Sequence, residues 1–85
     1  MNDAINTTNT IRGELRGAKG YAEIMWDIPT AQRFDALIKK MDRGVEFSAE
    51  DRKVVRGQLE SSWHQARRNF DAAEEAELAA AIATL

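Results

Sequence analysis

His64 is the only histidine of the chain and the residue best suited to chemistry. Glu60 and Arg68 stand one helical turn away on either side, so the imidazole could bind a metal ion together with Glu60 or act as a general base. A zinc site needs three or four ligands, and the chain has no cysteine and no second histidine to supply them. We therefore interpret His64 as a solvent-facing residue.

No other combination of residues indicates catalysis. The glycines at 13, 17 and 20 lie within a helical pattern and follow no strand, so they do not form a phosphate-binding loop. A helical chain of 85 residues also has little room for an enclosed pocket. We predict that the protein is not an enzyme and that it needs no metal and no other cofactor.

Length and composition indicate one small domain with its own core. The 85 residues are 44% hydrophobic and carry a net charge of −2. Without cysteine there can be no disulfide, which favours a reducing compartment. Residues 1–10 have neither the basic start nor the apolar run of a signal peptide, and no apolar run approaches the length of a membrane span. We expect a soluble, cytoplasmic protein with no affinity for membranes.

The spacing of apolar residues predicts two helices in the first half. Apolar residues at 11, 15, 18, 22 and 25 predict a helix over 10–27, after a flexible N-terminal segment at 1–9. Pro29 must end that helix, because it forces the residue before it out of the helical region. A second helix over 30–43 has four apolar residues on one face and ends at Gly44, a favoured C-terminal cap. Those four residues are Phe34, Leu37, Ile38 and Met41.

A third helix is predicted over 48–69, where Ser48 and Asp51 have the spacing of a capping box. Its apolar face consists of Val55, Leu59, Ser62, Trp63, Ala66, Phe70 and Ala73. The pattern fails at Glu77, so either the helix continues in another phase or it breaks near Asn69. A continuous helix would be about 55 Å long, far beyond a compact chain of this size. We favour the break, with a fourth helix over 71–84 capped by Asp71.

The predicted fold is therefore an all-α, single-domain bundle of three or four helices over residues 10–85. Should the last two helices be continuous, three apolar residues would overhang the bundle and need a partner. The chain would then dimerise through its C-terminal helix. The candidate oligomerisation residues are Leu78, Ile82 and Leu85.

Charge and aromatic residues supply candidates for a protein-binding site. Residues 69–85 contain four acidic residues and no basic one, and such a segment could dock on a basic partner. Carboxylates also stabilise a helix N-terminus, which is the alternative explanation. Tyr21 and Trp26 lie outside or at the edge of the first apolar face and are candidate anchors. The acidic candidates are Asp71, Glu74, Glu75 and Glu77.

Two groups of basic residues are candidates for contacts with nucleic acid. Arg52, Lys53 and Arg56 open the third helix and could contact phosphates in a helix-turn-helix arrangement. The negative net charge, and Glu50 beside them, weigh against this interpretation. A second basic strip, on the first helix, consists of Arg12, Arg16 and Lys19.

Three glycines on one side of the first helix, Gly13, Gly17 and Gly20, form its most unusual local feature. Each costs about 1 kcal/mol relative to alanine in a helix interior. They could form a smooth surface for the backbone of a partner, or they could mark a loosely formed helix. The sequence leaves both interpretations open.

These observations favour a small, non-catalytic module that binds a larger protein and blocks it sterically. Small, acidic, cysteine-free helical proteins are frequent among phage-encoded inhibitors of host defence, including anti-CRISPR proteins, so an anti-defence inhibitor is the leading example. That analogy rests on size and composition alone. The main alternative is a small dimeric DNA-binding transcriptional regulator, and a third hypothesis is an assembly subunit.

Overall fold

The chain forms four helices in a computed structural model that describes residues 3–85, with side chains described from residue 6 onward. The helices are α1 (Asp3–Ile24), α2 (Ile28–Asp42), α3 (Ala49–Arg68) and α4 (Ala72–Ile82). Over this part of the chain there is no strand, so the predicted all-α class is confirmed with four helices. None of the helices described is both long and apolar enough to cross a membrane.

The helices pack as two hairpins. α1 packs against α2, α3 packs against α4, and α1 also contacts both α3 and α4. The predicted apolar faces of α2 and α3 meet in the core, together with the first half of the α1 face. The buried cluster consists of Ile11, Leu15, Leu37, Ile38, Val55, Leu59, Ala66, Leu78 and Ala81.

α1 begins earlier than the sequence predicts. It is helical from Asp3, so the predicted start at residue 9 or 10 is wrong, and the described part of the segment predicted to be flexible is helical. Residues 1 and 2 lie outside the described residues. The Thr10 hydroxyl donates to the Asn6 carbonyl oxygen at 3.0 Å, and these turns lie beside Glu77 and Ala80 of α4. Packing against α4 thus outweighs the low helix propensity of Asn and Thr.

The two helix-to-helix turns within the hairpins have the same backbone conformation. In each, an aromatic residue at positive φ ends one helix, and the aspartate that follows caps the next. Asp27 accepts from the Thr30 N–H at 3.3 Å, and Asp71 accepts from the Glu74 N–H at 3.1 Å. Backbone bonds from Asp27 to Ala22 and from Asp71 to Ala66 complete two Schellman motifs. The aromatic residues are Trp26 (φ 58°) and Phe70 (φ 57°).

The predicted break near Asn69 is present. It places the residues proposed for oligomerisation against the core of the same chain. Because the chain turns back at Phe70, α4 lies on α3, and Leu78 is only 1% exposed. Ile82 and Leu85 are half-buried against the same core. Leu78 therefore belongs to the core of this chain, and Ile82 and Leu85 pack against that core while partly exposed. Phe70, predicted to lie on the apolar face of α3, is instead 93% exposed.

The connection between the hairpins carries the predicted caps. Gly44 has a φ of 68°, the left-handed conformation that ends α2, and the Ser48–Asp51 capping box opens α3. Phe47 packs against the core, whereas Val45 is half-exposed. Lys40 pairs with Asp51 across this connection and ties α2 to α3.

Ion pairs bind most of the basic strip of α1 to α2. Lys19 Nζ lies 3.3 Å from a carboxylate oxygen of Asp35, and Arg12 Nε lies 3.3 Å from one of Asp42. Lys39 shares Asp35 at 2.8 Å. These contacts give Arg12 and Lys19 a role within the fold, which weakens the case for this strip as a phosphate-binding surface.

Candidate protein-binding site

Exposed apolar side chains are concentrated at the end of α1 and the start of α2. Of the seven large hydrophobic residues exposed in the described chain, five lie within residues 21–28. We call this group the corner patch. It consists of Tyr21, Ile24, Met25, Trp26 and Ile28.

The corner patch arises because the apolar face of α1 extends beyond the residues that pack against it. Ala22 is the last buried residue of α1, and Met25, the next position of that face, is exposed. Trp26 then adopts positive φ, which costs an L-residue about 1–2 kcal/mol. Its side chain is 85% exposed, so burial does not offset this cost. Trp26 is therefore a strained and exposed aromatic residue, as Phe70 is in the second turn, but Trp26 has four other exposed apolar residues beside it in the chain.

A groove of about 560 Å³ opens directly beside the corner patch, between α1, α3 and the start of α2. Gly13 and Gly17 of α1 lie on one side of this glycine groove, and Gln58 and Ser61 of α3 lie on the other. Tyr21 and Met25, which belong to the corner patch, line its end together with residues of α2.

The glycines keep this groove open. An added Cβ at Gly13 or Gly17 would meet no atom within 4 Å, so the space above them is empty. α1 is helical through all three glycines. Gly20 lies outside the groove lining. The side of α1 that carries Gly13 and Gly17 is thus an uncovered helical surface.

A second, more polar depression of about 400 Å³ lies between α1 and α4 and continues from the first. Gly13 and Glu14 line both, and the Ser62 hydroxyl donates a hydrogen bond to Glu14 at the junction. We call this depression the acidic cleft. Its carboxylates are Glu14, Asp71, Glu74 and Glu77.

The carboxylates of the acidic cleft crowd one another. Burial is the largest cause raising the pKa of Glu74, and a side-chain hydrogen bond with Asp71 adds to it. The negative charges of Asp71, Glu14 and Glu77 act in the same direction. Within the described residues, no lysine or arginine lies within ion-pair distance of any of the four. Three of the predicted acidic residues therefore meet here, whereas Glu75 lies outside the cleft lining.

The residues proposed for nucleic acid lie elsewhere, at the start of α3. Arg52, Lys53 and Arg56 are exposed around a shallow depression of about 390 Å³. Arg52 donates to the Phe47 carbonyl oxygen at 3.1 Å, and Glu50 lines the same depression. This basic surface involves none of the residues that line the glycine groove.

His64 is exposed and lies edge-on to Trp63, with ring centroids 5.0 Å apart. The Arg67 guanidinium lies 5.4 Å from the centre of the same indole ring. Across the residues that the structure describes, no three His, Asp or Glu side chains are arranged to hold a metal ion.

The apolar pattern predicts Met25 and Phe70 on core-facing sides of helices, but both are exposed. Ile28, which the pattern assigns to no surface, is exposed as well. A usable signal was present, because an aromatic residue directly before an aspartate follows two helical patterns, at 26–27 and at 70–71. The groove itself had no such signal, since its two sides come from segments about 45 positions apart in the chain.

Comparisons of this chain with protein-family models, with curated proteins and with solved structures find no match.

Proposed function

We propose that this protein is a non-catalytic module that binds a larger protein through the corner patch and blocks a surface of that partner. The observation that carries the proposal is the group of five exposed apolar residues at 21–28, with the 85% exposed indole of Trp26 among them. Tryptophan is the residue most enriched among the anchors of protein interfaces. The exposure of the Trp26 indole and its positive φ are both unfavourable in the free chain. Contact with a partner would offset the cost of exposure.

The surroundings of Trp26 support the same proposal. The other four members of the corner patch surround it in sequence, and the glycine groove begins at Tyr21 and Met25. An apolar anchor beside a groove matches the general anatomy of a protein interface, in which a few buried aromatic residues dominate the binding energy.

The mode of action proposed is steric. A domain of 85 residues whose apolar patch lies at one end can cover part of a partner while the rest of the bundle excludes other ligands. The size, acidity and helical fold suit a phage-type inhibitor of host defence, including the anti-CRISPR kind, and this remains the leading example of the proposed class.

The test is affinity capture from nuclease-treated bacterial lysate, with the partner read by mass spectrometry. We compare the wild-type chain with two matched variants, Trp26→Asn and Phe70→Asn. Both remove an exposed aromatic residue from the same type of turn, and asparagine tolerates positive φ, so both variants should fold.

We expect one dominant protein at near-stoichiometric yield, lost with Trp26→Asn and retained with Phe70→Asn. Retention by both variants, or recovery of the bait alone as an oligomer, would contradict the proposal. Equal loss with both would assign binding to exposed aromatic residues in general and would contradict the corner patch as the site.

A DNA-binding regulator is the second candidate, because Arg52, Lys53 and Arg56 are exposed together at the start of α3. Such a protein would bind DNA with an affinity that falls steeply with salt, and Arg56→Ala would weaken it. A mobility shift at low salt that is unchanged by Trp26→Asn would favour this candidate over the first.

A further inference from the structure

We infer that the glycine groove and the acidic cleft together hold one amphipathic helix with basic residues at one end. This inference rests on the proposed function, since it names the kind of segment that the module would bind. The bound helix has an apolar end beside the corner patch and a lysine- or arginine-rich end in the acidic cleft.

The two depressions adjoin each other along α1, and we call them together the trough. They share Gly13 and Glu14, and together they follow α1 from Met25 at one end to Asn9 at the other. Sixteen residue steps at 1.5 Å give a length of about 24 Å, which equals about four turns of an occupying helix. This length fits the helix-in-groove mode of recognition, in which apolar side chains at helical spacing enter a groove.

The small residues of α1 favour a helix as the occupant. Gly13 and Gly17 are four positions apart and lie on the same side of α1, above empty space. A helix that packs there can bring its backbone closer to α1 than side chains normally allow. The resulting interface gains dispersion contacts along the whole seam.

The charge of the trough sets the chemistry of the occupant's other end. Four carboxylates face the acidic cleft, and no lysine or arginine of the described chain lies within ion-pair distance of them. Two of them, Glu14 and Glu74, come from different helices and repel each other. A basic segment would relieve this repulsion, whereas an acidic segment would increase it.

The experiment uses model peptides of about 16 residues. The probe carries leucine at helical spacing throughout and lysine on the polar face of its second half. One control replaces every lysine with glutamate, and another scrambles the order so that no apolar face forms. Binding to the full-length chain is measured by titration calorimetry at low salt.

Matched variants locate the binding site. Gly17→Leu fills the groove, and Gly57→Leu makes the same change on α3, where an added Cβ also meets nothing within 4 Å. The pair Glu74→Gln and Glu77→Gln removes two charges from the cleft. A control pair, Glu46→Gln and Glu60→Gln, removes two charges from exposed positions outside the cleft lining.

We expect the lysine peptide to bind and both controls to bind at least about tenfold more weakly. Gly17→Leu and the cleft pair should each weaken binding by about tenfold, while Gly57→Leu and the control pair leave it unchanged. Equal binding of all three peptides, no binding of the lysine peptide, or indifference to Gly17→Leu would overturn the inference. Self-association that Gly17→Leu abolishes would make a second copy the occupant and would also overturn it.

The same variants separate this inference from the proposed function. A captured partner that is lost with Trp26→Asn but retained with Gly17→Leu and with the cleft pair would leave the proposed function standing and refute the helical occupant. Loss of the partner with all of these variants would support both.

Discussion

Trp26 and Phe70 occupy equivalent positions in two separate turns, with φ values of 58° and 57°. Each follows the end of a helix, and each precedes an aspartate that caps the next helix. At the end of α2 the corresponding position is Gly44, the residue type that this conformation favours. The chain thus uses glycine at one of three left-handed helix ends and an exposed aromatic residue at the other two.

Replacing Phe70 with asparagine should stabilise the protein. The left-handed conformation costs less for asparagine, and the ring is 93% exposed, so little burial is lost. We expect the free energy of unfolding in urea to rise by about 0.5–1 kcal/mol. A fall of similar size would show that the Phe70 ring contributes packing to the folded chain.

Alanine at Gly17 should also stabilise the protein. The added methyl group meets nothing within 4 Å, and alanine is the better helix former by about 1 kcal/mol. We expect a higher thermal midpoint for Gly17→Ala, while Gly44→Ala lowers it because Gly44 has a φ of 68°. Destabilisation by Gly17→Ala would mean that α1 is not a regular helix at that point.

Truncating Leu78 should destabilise the fold, because this side chain is 1% exposed at the centre of the core. We expect Leu78→Ala to lower the free energy of unfolding by about 2–5 kcal/mol, as other buried leucines do. Ala76→Ser, at an exposed position on the same helix, serves as the control. Sedimentation that shows a smaller particle with unchanged stability would instead restore Leu78 to an oligomer interface.

Acid should weaken the fold partly through Asp51. A hydrogen bond from the Lys40 ammonium, followed by one from the Ser48 N–H, holds the pKa of Asp51 below its ordinary value. A carboxyl group whose pKa is lower in the folded state stabilises the protein above its unfolded pKa of about 3.9. That contribution is lost as the pH falls through the folded pKa.

Urea unfolding between about pH 2 and pH 6 measures this effect. We expect the loss of stability on the acid side to be smaller in Asp51→Asn than in the wild-type chain. The exposed Glu46, changed to Gln, serves as the control and should follow the wild-type curve. Parallel curves for Asp51→Asn and the wild type would contradict the role assigned to the Lys40 pair.

The fold was predictable where local patterns and tertiary packing agree. The apolar face of α2, that of α3 as far as Ala66, the Gly44 cap and the Ser48–Asp51 box appear as expected. The start of α1 was missed because the turn around Asn6 has low intrinsic propensity and lies against α4, a contact that no local pattern reports. Tertiary contacts decide such marginal helix ends.

The site was less predictable than the fold. Tyr21 and Trp26 stood out because they are large aromatic residues outside or at the edge of the first apolar face, and both are exposed in the corner patch. Phe70 was misassigned because the helical phase was extended past Asn69, where positive φ redirects the chain. The trough could not be predicted, because it exists only once α1, α3 and α4 are packed together.

The uncovered surface of the glycine groove also allows a chemical label to be attached inside it. The chain has no cysteine, so one introduced at Gly17 would be its only thiol. Its side chain would extend into free space, since an added Cβ at this position meets no neighbouring atom within 4 Å. A photoreactive label attached there would react with whatever segment occupies the trough, and the site of covalent attachment would identify that segment residue by residue.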